Sequence, residues 1–398
     1  MSKVIKLNEA AAATTAGAPS LKASLELGFR PLYPAGALWA AVAIALWIFA
    51  PQTLTGTLQG VAWHAHEMLW GFIATIAVGF LLTAGANWTG RNPIRGAPLA
   101  ALLGLWVLAR VGFLVPGTGA FRVAAVSELL FFAVAAIALA LAIVGSRNTR
   151  NYGVPVMVLA LGAADAWYLW LAAHGNYIEL MQAMDSGLLV MAAIALLVAR
   201  RVIPFFAVRV IPGLELPKQT RSGQIQLAAC VAALACLLAG LRQPLAGFLV
   251  LAGITSLYQL LSWKPLRVRQ KPLLWILYAG YAALGCGLIA AAVHVLSPGI
   301  RAAVHVHVIA MGGFSVLIIG MLTRTALGHL GRPLKLDRSM QASYWLMLLA
   351  VVLRLCALAP SNHAGLLLQM AALAWMAVFA LYLWRFFPLM IRPRADAR

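Results

Sequence analysis

Stretches of about twenty apolar residues, the length that a helix needs to cross a bilayer, alternate with short polar segments along most of the chain. The pattern predicts an all-α fold, a polytopic membrane bundle of about twelve transmembrane helices. Residues 1–30 are predicted to form a cytoplasmic N-terminal tail, and residues 31–398 a single transmembrane domain with a central cytoplasmic loop at 200–223. The predicted spans are residues 34–50, 64–86, 97–116, 122–145, 152–173, 179–199, 224–240, 243–261, 272–295, 302–323, 341–359 and 364–387.

Composition supports a membrane protein and argues against a nucleic-acid-binding protein. The 398 residues are 63% hydrophobic and only 10% charged, whereas average proteins have about 25% charged residues. A net charge of +20 would suit nucleic-acid binding only if the basic residues formed one face of a soluble fold. They lie between apolar spans instead, so the expected partner is the lipid bilayer and not a nucleic acid.

The positions of the basic residues predict an orientation. With the N-terminus inside, most of the 30 Lys and Arg residues fall in the tails and inner loops, and the outer loops carry only Arg122, Arg242 and Arg301. Loops rich in Lys and Arg mark the cytoplasmic side. The pattern therefore predicts a multi-pass protein with both the N- and the C-terminus in the cytoplasm.

Cysteine spacing predicts neither a zinc site nor covalent haem. The four cysteines, Cys230, Cys236, Cys286 and Cys356, lie in apolar spans and lack Cys-x-x-Cys spacing, so we interpret them as packing residues. The chain has no Cys-x-x-Cys-His, and any haem is therefore expected to be held without covalent attachment.

Histidines supply the strongest chemical signal. Two spans begin with a His-x-His pair, in WHAHEMLWGF and in VHVHVIAMGG. Under the predicted topology every histidine except His329 maps to the outer side. Neutral imidazole is the commonest metal ligand and also ligates haem iron, so these residues predict a cofactor site; polar residues in the headgroup layer are the competing interpretation. The predicted ligands are His64, His66, His305 and His307, with His174, His294 and His363 as weaker candidates.

The spacing within each pair adds geometry. Residues i and i+2 on a helix point about 200° apart, so His64 and His66 serve two different centres, or one of them faces a partner side chain. Glu67 lies one turn from His64 and is a candidate to orient that imidazole; a purely structural hydrogen bond is the alternative.

Methionines are further candidate metal ligands, and acids within the spans are candidate proton carriers; each also has a purely structural interpretation. Thioether sulfur binds copper(I), although methionine in an apolar helix usually serves packing. The methionines concerned are Met68, Met181, Met184 and Met311. Carboxylates within spans relay protons in pumps, or pair with a buried arginine such as Arg110 or Arg354. The acids concerned are Glu128, Asp165 and Asp185.

Three blocks of the chain resemble the NnrS family. They are HAHEMLWGF followed by GFLLTAGANWTGR, RRVIPFFAVR at 200–209, and MLTRTALGHLGRPL at 321–334. The resemblance implies a twelve-helix protein of the bacterial inner membrane. It further implies haem b, copper, and protection from nitric oxide and nitrosative stress during denitrification.

The matching positions extend to both ends of the helices. At the predicted inner side we interpret the matches as helix caps and orientation signals, with a quinone or partner site as the alternative. In the first block they are His64, His66, Glu67, Met68, Asn87, Trp88, Thr89, Gly90 and Arg91. In the other two they are Arg201, Val202, Ile203, Pro204, His307, Arg324, Gly328, His329, Gly331 and Arg332.

A more distant similarity links the chain to the catalytic subunit of haem–copper oxidases. That family also has twelve helices, a haem ligand in span two and a His-x-His in span ten. The similarity implies that His64 and His307 ligate one haem and His305 a second. The oxidase copper ligands of helices six and seven have no counterpart here, so an oxidase-type binuclear centre is not expected.

The leading hypothesis is a haem-containing membrane protein that binds or detoxifies nitric oxide. If it turns nitric oxide over, it is an oxidoreductase that takes electrons from quinol or an electron-donor protein. A secondary transporter of copper or another metal is one alternative, although such sites usually lie near the bilayer midplane. An assembly or scaffold protein for denitrification enzymes is the other.

Overall fold

The computed structural model describes residues 17–297, 299 and 301–395. All regular structure in these residues is helical, which confirms the predicted all-α bundle, and a long helix lies at each predicted span. In chain order the long helices are α1 (Phe29–Phe49), α2 (Gly60–Thr89), α3 (Ala97–Gly112), α4 (Thr118–Gly145), α5 (Gly153–His174), α6 (Tyr177–Val210), α7 (Thr220–Leu238), α8 (Arg242–Ser262), α9 (Pro272–Leu296), α10 (Ala302–His329), α11 (Arg338–Cys356) and α12 (Ala364–Met390).

The helices have the dimensions of membrane spans. In the described part of the chain, 11 helices are long and apolar enough to cross a bilayer, and α3 is a shorter apolar helix. The protein is therefore a polytopic membrane protein. Short loops make sequence neighbours pack side by side, as α8 does with α9 and α11 with α12, and α12 also packs against α1. The number of crossings and the side of the termini remain predictions.

Both helices that start with a His-x-His pair widen just after the second histidine. Residues Glu67–Ala74 of α2 and Val308–Ser315 of α10 are π-helical. The hydroxyl at the end of each segment donates to the carbonyl five residues earlier: Thr75 to Trp70 at 3.2 Å and Ser315 to Ala310 at 2.8 Å. Wide turns of this kind are frequent at functional sites. The hydrophobic pattern did not predict them, because one extra residue per turn barely disturbs an all-apolar stretch.

The predicted loop at 200–223 is too long at both ends. Helix α6 continues to Val210 and α7 begins at Thr220. Ile203 and Ala207, one turn apart, are buried and keep the helical packing of α6 beyond its charged residues. Arg200 and Arg201 therefore mark the end of the apolar part of α6, and the helix itself continues to Val210.

The predicted N-terminal tail is ordered near its end, which corrects its boundary. Residues 1–16 lie outside the described part, whereas Leu21–Ser24 form a helical turn and α1 already begins at Phe29. The buried Arg30 guanidinium donates to the Met390 carbonyl at 2.9 Å and to the Arg392 carbonyl at 2.6 Å. The beginning and the end of the described chain are thus joined.

Glycines allow α9 and α10 to approach closely. A Cβ atom added at Gly287 would lie 2.5 Å from Ile309 Cγ1 and 3.0 Å from the Ile309 backbone nitrogen. Gly280 faces Leu317 in the same way, and Gly313 of α10 faces Leu284. Small residues at such contacts let helices pack backbone to backbone in a membrane.

Replacing Gly287 with alanine is expected to lower the free energy of unfolding by about 1–3 kcal/mol, because the added methyl group forces α9 and α10 apart. Thermal unfolding of the detergent-solubilised protein measures the effect. Gly247→Ala in α8 is the control, since nothing lies within 4 Å of the added atom. Equal stability of the two variants would contradict the close packing.

Candidate functional site

The two histidines of α2 face different surroundings. His64 is half-buried and lines a cavity, whereas His66 is fully buried among ionisable groups. This separation agrees with the angle of about 200° between residues i and i+2 of a helix. Glu67 contacts His66 and not His64, so the expectation that Glu67 orients His64 is wrong. Glu67 is also the first residue of the π-helical segment of α2.

The cavity at His64 lies between α1, α2, α6, α10, α11 and α12 and has a volume of about 300 Å³. It is at the end of the bundle where both His-x-His pairs lie, here called the histidine end. Its wall is mainly apolar, with residues such as Leu69, Phe72 and Trp375. The polar side chains in the wall are His64, His307, Tyr177, Asp185, Ser315 and Arg354.

His64 and His307 face each other in this cavity. Their ring centres are 6.4 Å apart and their planes are inclined by 21°. The His64 ring also stacks on Trp47, with centres 5.1 Å apart. His307 Nδ1 is 2.6 Å from the Ala303 carbonyl oxygen, to which it donates in the tautomer that leaves Nε2 unprotonated. His64 Nδ1 is buried and has no hydrogen-bond partner among the described residues.

Sulfur and one positive charge complete the cavity wall. The four methionines singled out in the sequence, Met68, Met181, Met184 and Met311, all line it. Arg354 also lines it and forms no ion pair with another residue in the described part of the chain, so the predicted pairing of Arg354 with a buried acid is not found.

His305 lies apart from His307 and faces His294. The two ring centres are 4.8 Å apart, and His305 Nε2 is 3.9 Å from Asp185 Oδ1. The pair His305–His307 is thus divided between two surroundings, as is the pair on α2. His305 and His294 lie together on neighbouring helices, which their separation in sequence did not reveal.

A second cluster surrounds His66 and joins α2, α3, α4 and α5. His66 Nδ1 is 3.0 Å from Glu67 Oε1, and His66 Nε2 is 3.0 Å from Asp165 Oδ1 and 3.3 Å from Glu128 Oε2. Arg110 forms ion pairs with both Glu67 and Glu128. All five side chains are at most 2% exposed. Of the two roles considered for these acids, pairing with Arg110 is found for Glu128.

Aromatic residues close this cluster off. The rings of Trp70, Phe113 and Tyr168 lie 4.8–5.7 Å from the His66 ring, centre to centre. Trp39 Nε1 donates to Glu67 Oε2 at 2.6 Å. Charged groups so enclosed persist only when they compensate one another, because removing a charge from water costs several kcal/mol.

Two weaker histidine candidates are not brought to either site. His174 is exposed at the end of α5, where its Nδ1 is 3.0 Å from the Trp170 carbonyl oxygen of its own helix. His363 is exposed and precedes α12. Both side chains are exposed, and their placement in the headgroup layer stays a prediction.

The family-block residues at the opposite end connect helices. Arg201 Nη1 donates to Asn151 Oδ1 at 2.7 Å, and the Arg324 guanidinium lies 3.7 Å from the centre of the Phe206 ring. Asn87 and His329 are 3.5 Å apart. The remaining ones serve as follows: Gly90 ends α2 with φ +68°, Trp88 accepts from Asn148, Arg91 packs on Gly145, Pro204 lies inside α6, and the Arg332 backbone bonds to Leu327. These contacts fit helix caps and joints.

Comparison with known proteins identifies the family. The family model described as NnrS protein matches residues 23–394, nearly the whole chain. The chain belongs to the NnrS family. No match is found among curated proteins. Membership supports a membrane protein of the nitric oxide response.

Sequence analysis missed the composition of the His66 cluster. Glu128 and Asp165 were recognised as buried acids, but their meeting with His66 depends on how α4 and α5 pack on α2. The sequence did contain one signal for this cluster. Several ionisable residues lie in neighbouring apolar spans, and such residues must pair with one another.

Gly71 is the residue whose change most directly tests the cluster. A Cβ atom there would lie 2.6 Å from Glu67 Oε2 and 2.9 Å from Trp39 Nε1, and still closer to Arg110. Gly71→Ala is therefore expected to displace the buried ion pair and to lower the free energy of unfolding by about 3 kcal/mol.

The measurement is thermal unfolding in detergent, with Gly104→Ala on α3 as control, since nothing lies within 4 Å of an added Cβ there. If Gly71→Ala unfolds at the same temperature as Gly104→Ala, the ion pair between Glu67 and Arg110 does not stabilise the fold.

Proposed function

We propose that the protein holds a non-covalent haem b between His64 and His307 and binds nitric oxide at that haem. The observation that carries the proposal is the pair of imidazole rings that face each other, 6.4 Å apart, across a cavity of about 300 Å³. A metal ion bound to two imidazole nitrogens at about 2 Å each separates the ring centres by about 6 Å. The observed distance of 6.4 Å leaves room for an ion between the rings.

Hydrogen bonding of the two rings supports ligation. A ligating histidine usually donates its other ring nitrogen to a carbonyl or carboxylate, as His307 does to Ala303. His64 Nδ1 lacks a protein partner among the described residues. A buried nitrogen without a hydrogen bond is costly unless a bound group contacts it. Arg354 is suited to pair with a carboxylate of the bound group.

The residues also indicate which imidazole gives way to nitric oxide. Haem, held by these two histidines, would supply an iron that binds nitric oxide when one of the two imidazoles is not bound to it. His307 is fixed by a hydrogen bond of 2.6 Å, whereas His64 is held by a ring stack on Trp47. We therefore assign His307 as the permanent ligand and His64 as the exchangeable one. The mainly apolar wall suits entry of an uncharged gas from the lipid.

The proposal includes the setting of this chemistry. Family membership supports the bacterial inner membrane, and the distribution of Lys and Arg supports cytoplasmic termini with the histidine end outside. Turnover of nitric oxide requires electrons, for which quinol or an electron-donor protein is the proposed source. Binding alone, without turnover, is compatible with the same site.

A second candidate function rests on the four methionines in the same cavity. Thioether and imidazole ligands together favour copper(I), so the cavity also suits a copper site or a copper transporter. Its position towards one end of the bundle counts against transport, for which a midplane site is expected.

The haem proposal predicts the spectra of three forms of the protein. We expect the wild type from haem-replete cells to show a six-coordinate haem b in the reduced-minus-oxidised spectrum, and nitric oxide to shift that spectrum. His64→Ala is expected to retain haem and to bind nitric oxide faster, since one axial position is open. His307→Ala is expected to lose most of its haem.

Pyridine haemochrome quantification gives the haem content, and His363→Ala, an exposed histidine, is the control. No haem in the wild type would refute the proposal. Copper in place of haem would favour the second candidate function. The absence of both haem and copper would favour the scaffold hypothesis.

A further inference from the structure

The cluster around His66 has an unbalanced charge. Glu67, Glu128 and Asp165 are three carboxylates, and among the described residues Arg110 is the one guanidinium that contacts them. With a neutral His66 the cluster is two positive charges short. Side chains at most 2% exposed cannot obtain that compensation from water, and uncompensated charge at such a site is expensive.

The orientation of His66 shows where the missing charge belongs. Nδ1 is 3.0 Å from Glu67 Oε1, to which it donates in the neutral tautomer that carries its proton on Nδ1. Nε2 then presents a lone pair to two carboxylate oxygens, at 3.0 Å on Asp165 and 3.3 Å on Glu128. Three acceptors that face one another repel unless a cation or protons lie between them.

We propose that His66, Glu128 and Asp165 bind a divalent transition-metal ion, at a site separate from the haem cavity. The three residues offer ligand atoms that all lie within 4.8 Å of one another, one from each of α2, α4 and α5. Ligand atoms at bond lengths of about 2.1 Å from one ion are themselves about 3.0–3.4 Å apart, and His66 Nε2 lies 3.0 Å from Asp165 Oδ1 and 3.3 Å from Glu128 Oε2. A divalent ion also brings the net charge of the cluster to zero.

Unused oxygen atoms support metal binding independently of the charge count. Glu128 Oε1 and Asp165 Oδ2 are buried and have no hydrogen-bond partner among the described residues. These two oxygen atoms are therefore available to contact an ion. Glu67 has the position of the carboxylate that orients a metal-bound imidazole through its far nitrogen.

The ligand set indicates the class of ion. One imidazole nitrogen and two carboxylates form a hard to borderline set that suits Mn²⁺, Fe²⁺ or Zn²⁺ and disfavours copper(I), for which thioethers are available in the other cavity. The aromatic rings of Trp70, Phe113 and Tyr168 enclose the site. An ion so enclosed is expected to exchange slowly.

The test measures metal in the purified full-length protein. The wild type is incubated separately with Mn²⁺, Fe²⁺ and Zn²⁺, passed over a chelating resin, and analysed for bound metal, with haem iron subtracted. We expect one ion per chain in addition to any haem. Asp165→Asn and Glu128→Gln are expected to weaken binding by more than about 100-fold, since even groups outside the ligand shell contribute about 10- to 100-fold.

Glu215→Gln is the matched control, because Glu215 is exposed outside the long helices. A wild type that retains none of the three ions refutes the proposal and leaves two protons as the compensating charge. Unchanged metal binding in Asp165→Asn and Glu128→Gln also refutes it.

X-ray absorption at the metal edge of the wild type tests the site without depending on the folding of a variant. Only nitrogen and oxygen ligands at about 2.1 Å are expected, and sulfur ligands would move the ion to the methionine-lined cavity. Haem content is measured on the same samples, so failure of this proposal and failure of the haem proposal are distinguishable.

Discussion

Arg110 carries a buried charge in an apolar bundle, where ion pairs must compensate it. The packing of α2, α3 and α4 around it follows from its partners. Arg110 joins α3 to Glu67 of α2 and Glu128 of α4. Removing one member of such a buried pair leaves its partner uncompensated, at a cost of about 3–5 kcal/mol. Gly71 provides the space in which the guanidinium reaches α2.

The same contacts determine what each histidine of α2 is able to do. Glu67, tied to Arg110 and Trp39, holds the Nδ1 side of His66 and directs Nε2 towards α4 and α5. The helix then leaves His64 on the opposite side, towards α10 and His307. One short segment thus serves a charged, closed cluster and an open, apolar cavity. On α10 the division of His305 from His307 follows the same logic of spacing.

Sequence reasoning predicted the helices well, because the length of an apolar run and the position of basic residues reflect the bilayer directly. It misplaced the end of α6, where Arg200 and Arg201 continue the helix beyond the apolar layer, and it overlooked both π-helical segments. For the sites, it selected His64 and His307 but assigned Glu67 to the wrong imidazole. Which side chains meet between helices depends on rotation about each helix axis, and a single sequence contains little information on that.

The separation of His64 and His66 by only two residues has a mechanical consequence. Both side chains are carried by one rigid turn, so a rotation of α2 that brings His64 nearer to His307 also changes the distance of His66 from Asp165. If both places are occupied as proposed, binding at one would change the affinity at the other. By thermodynamic linkage the influence is reciprocal: whatever factor one ligand imposes on the affinity of the second, the second imposes on the first.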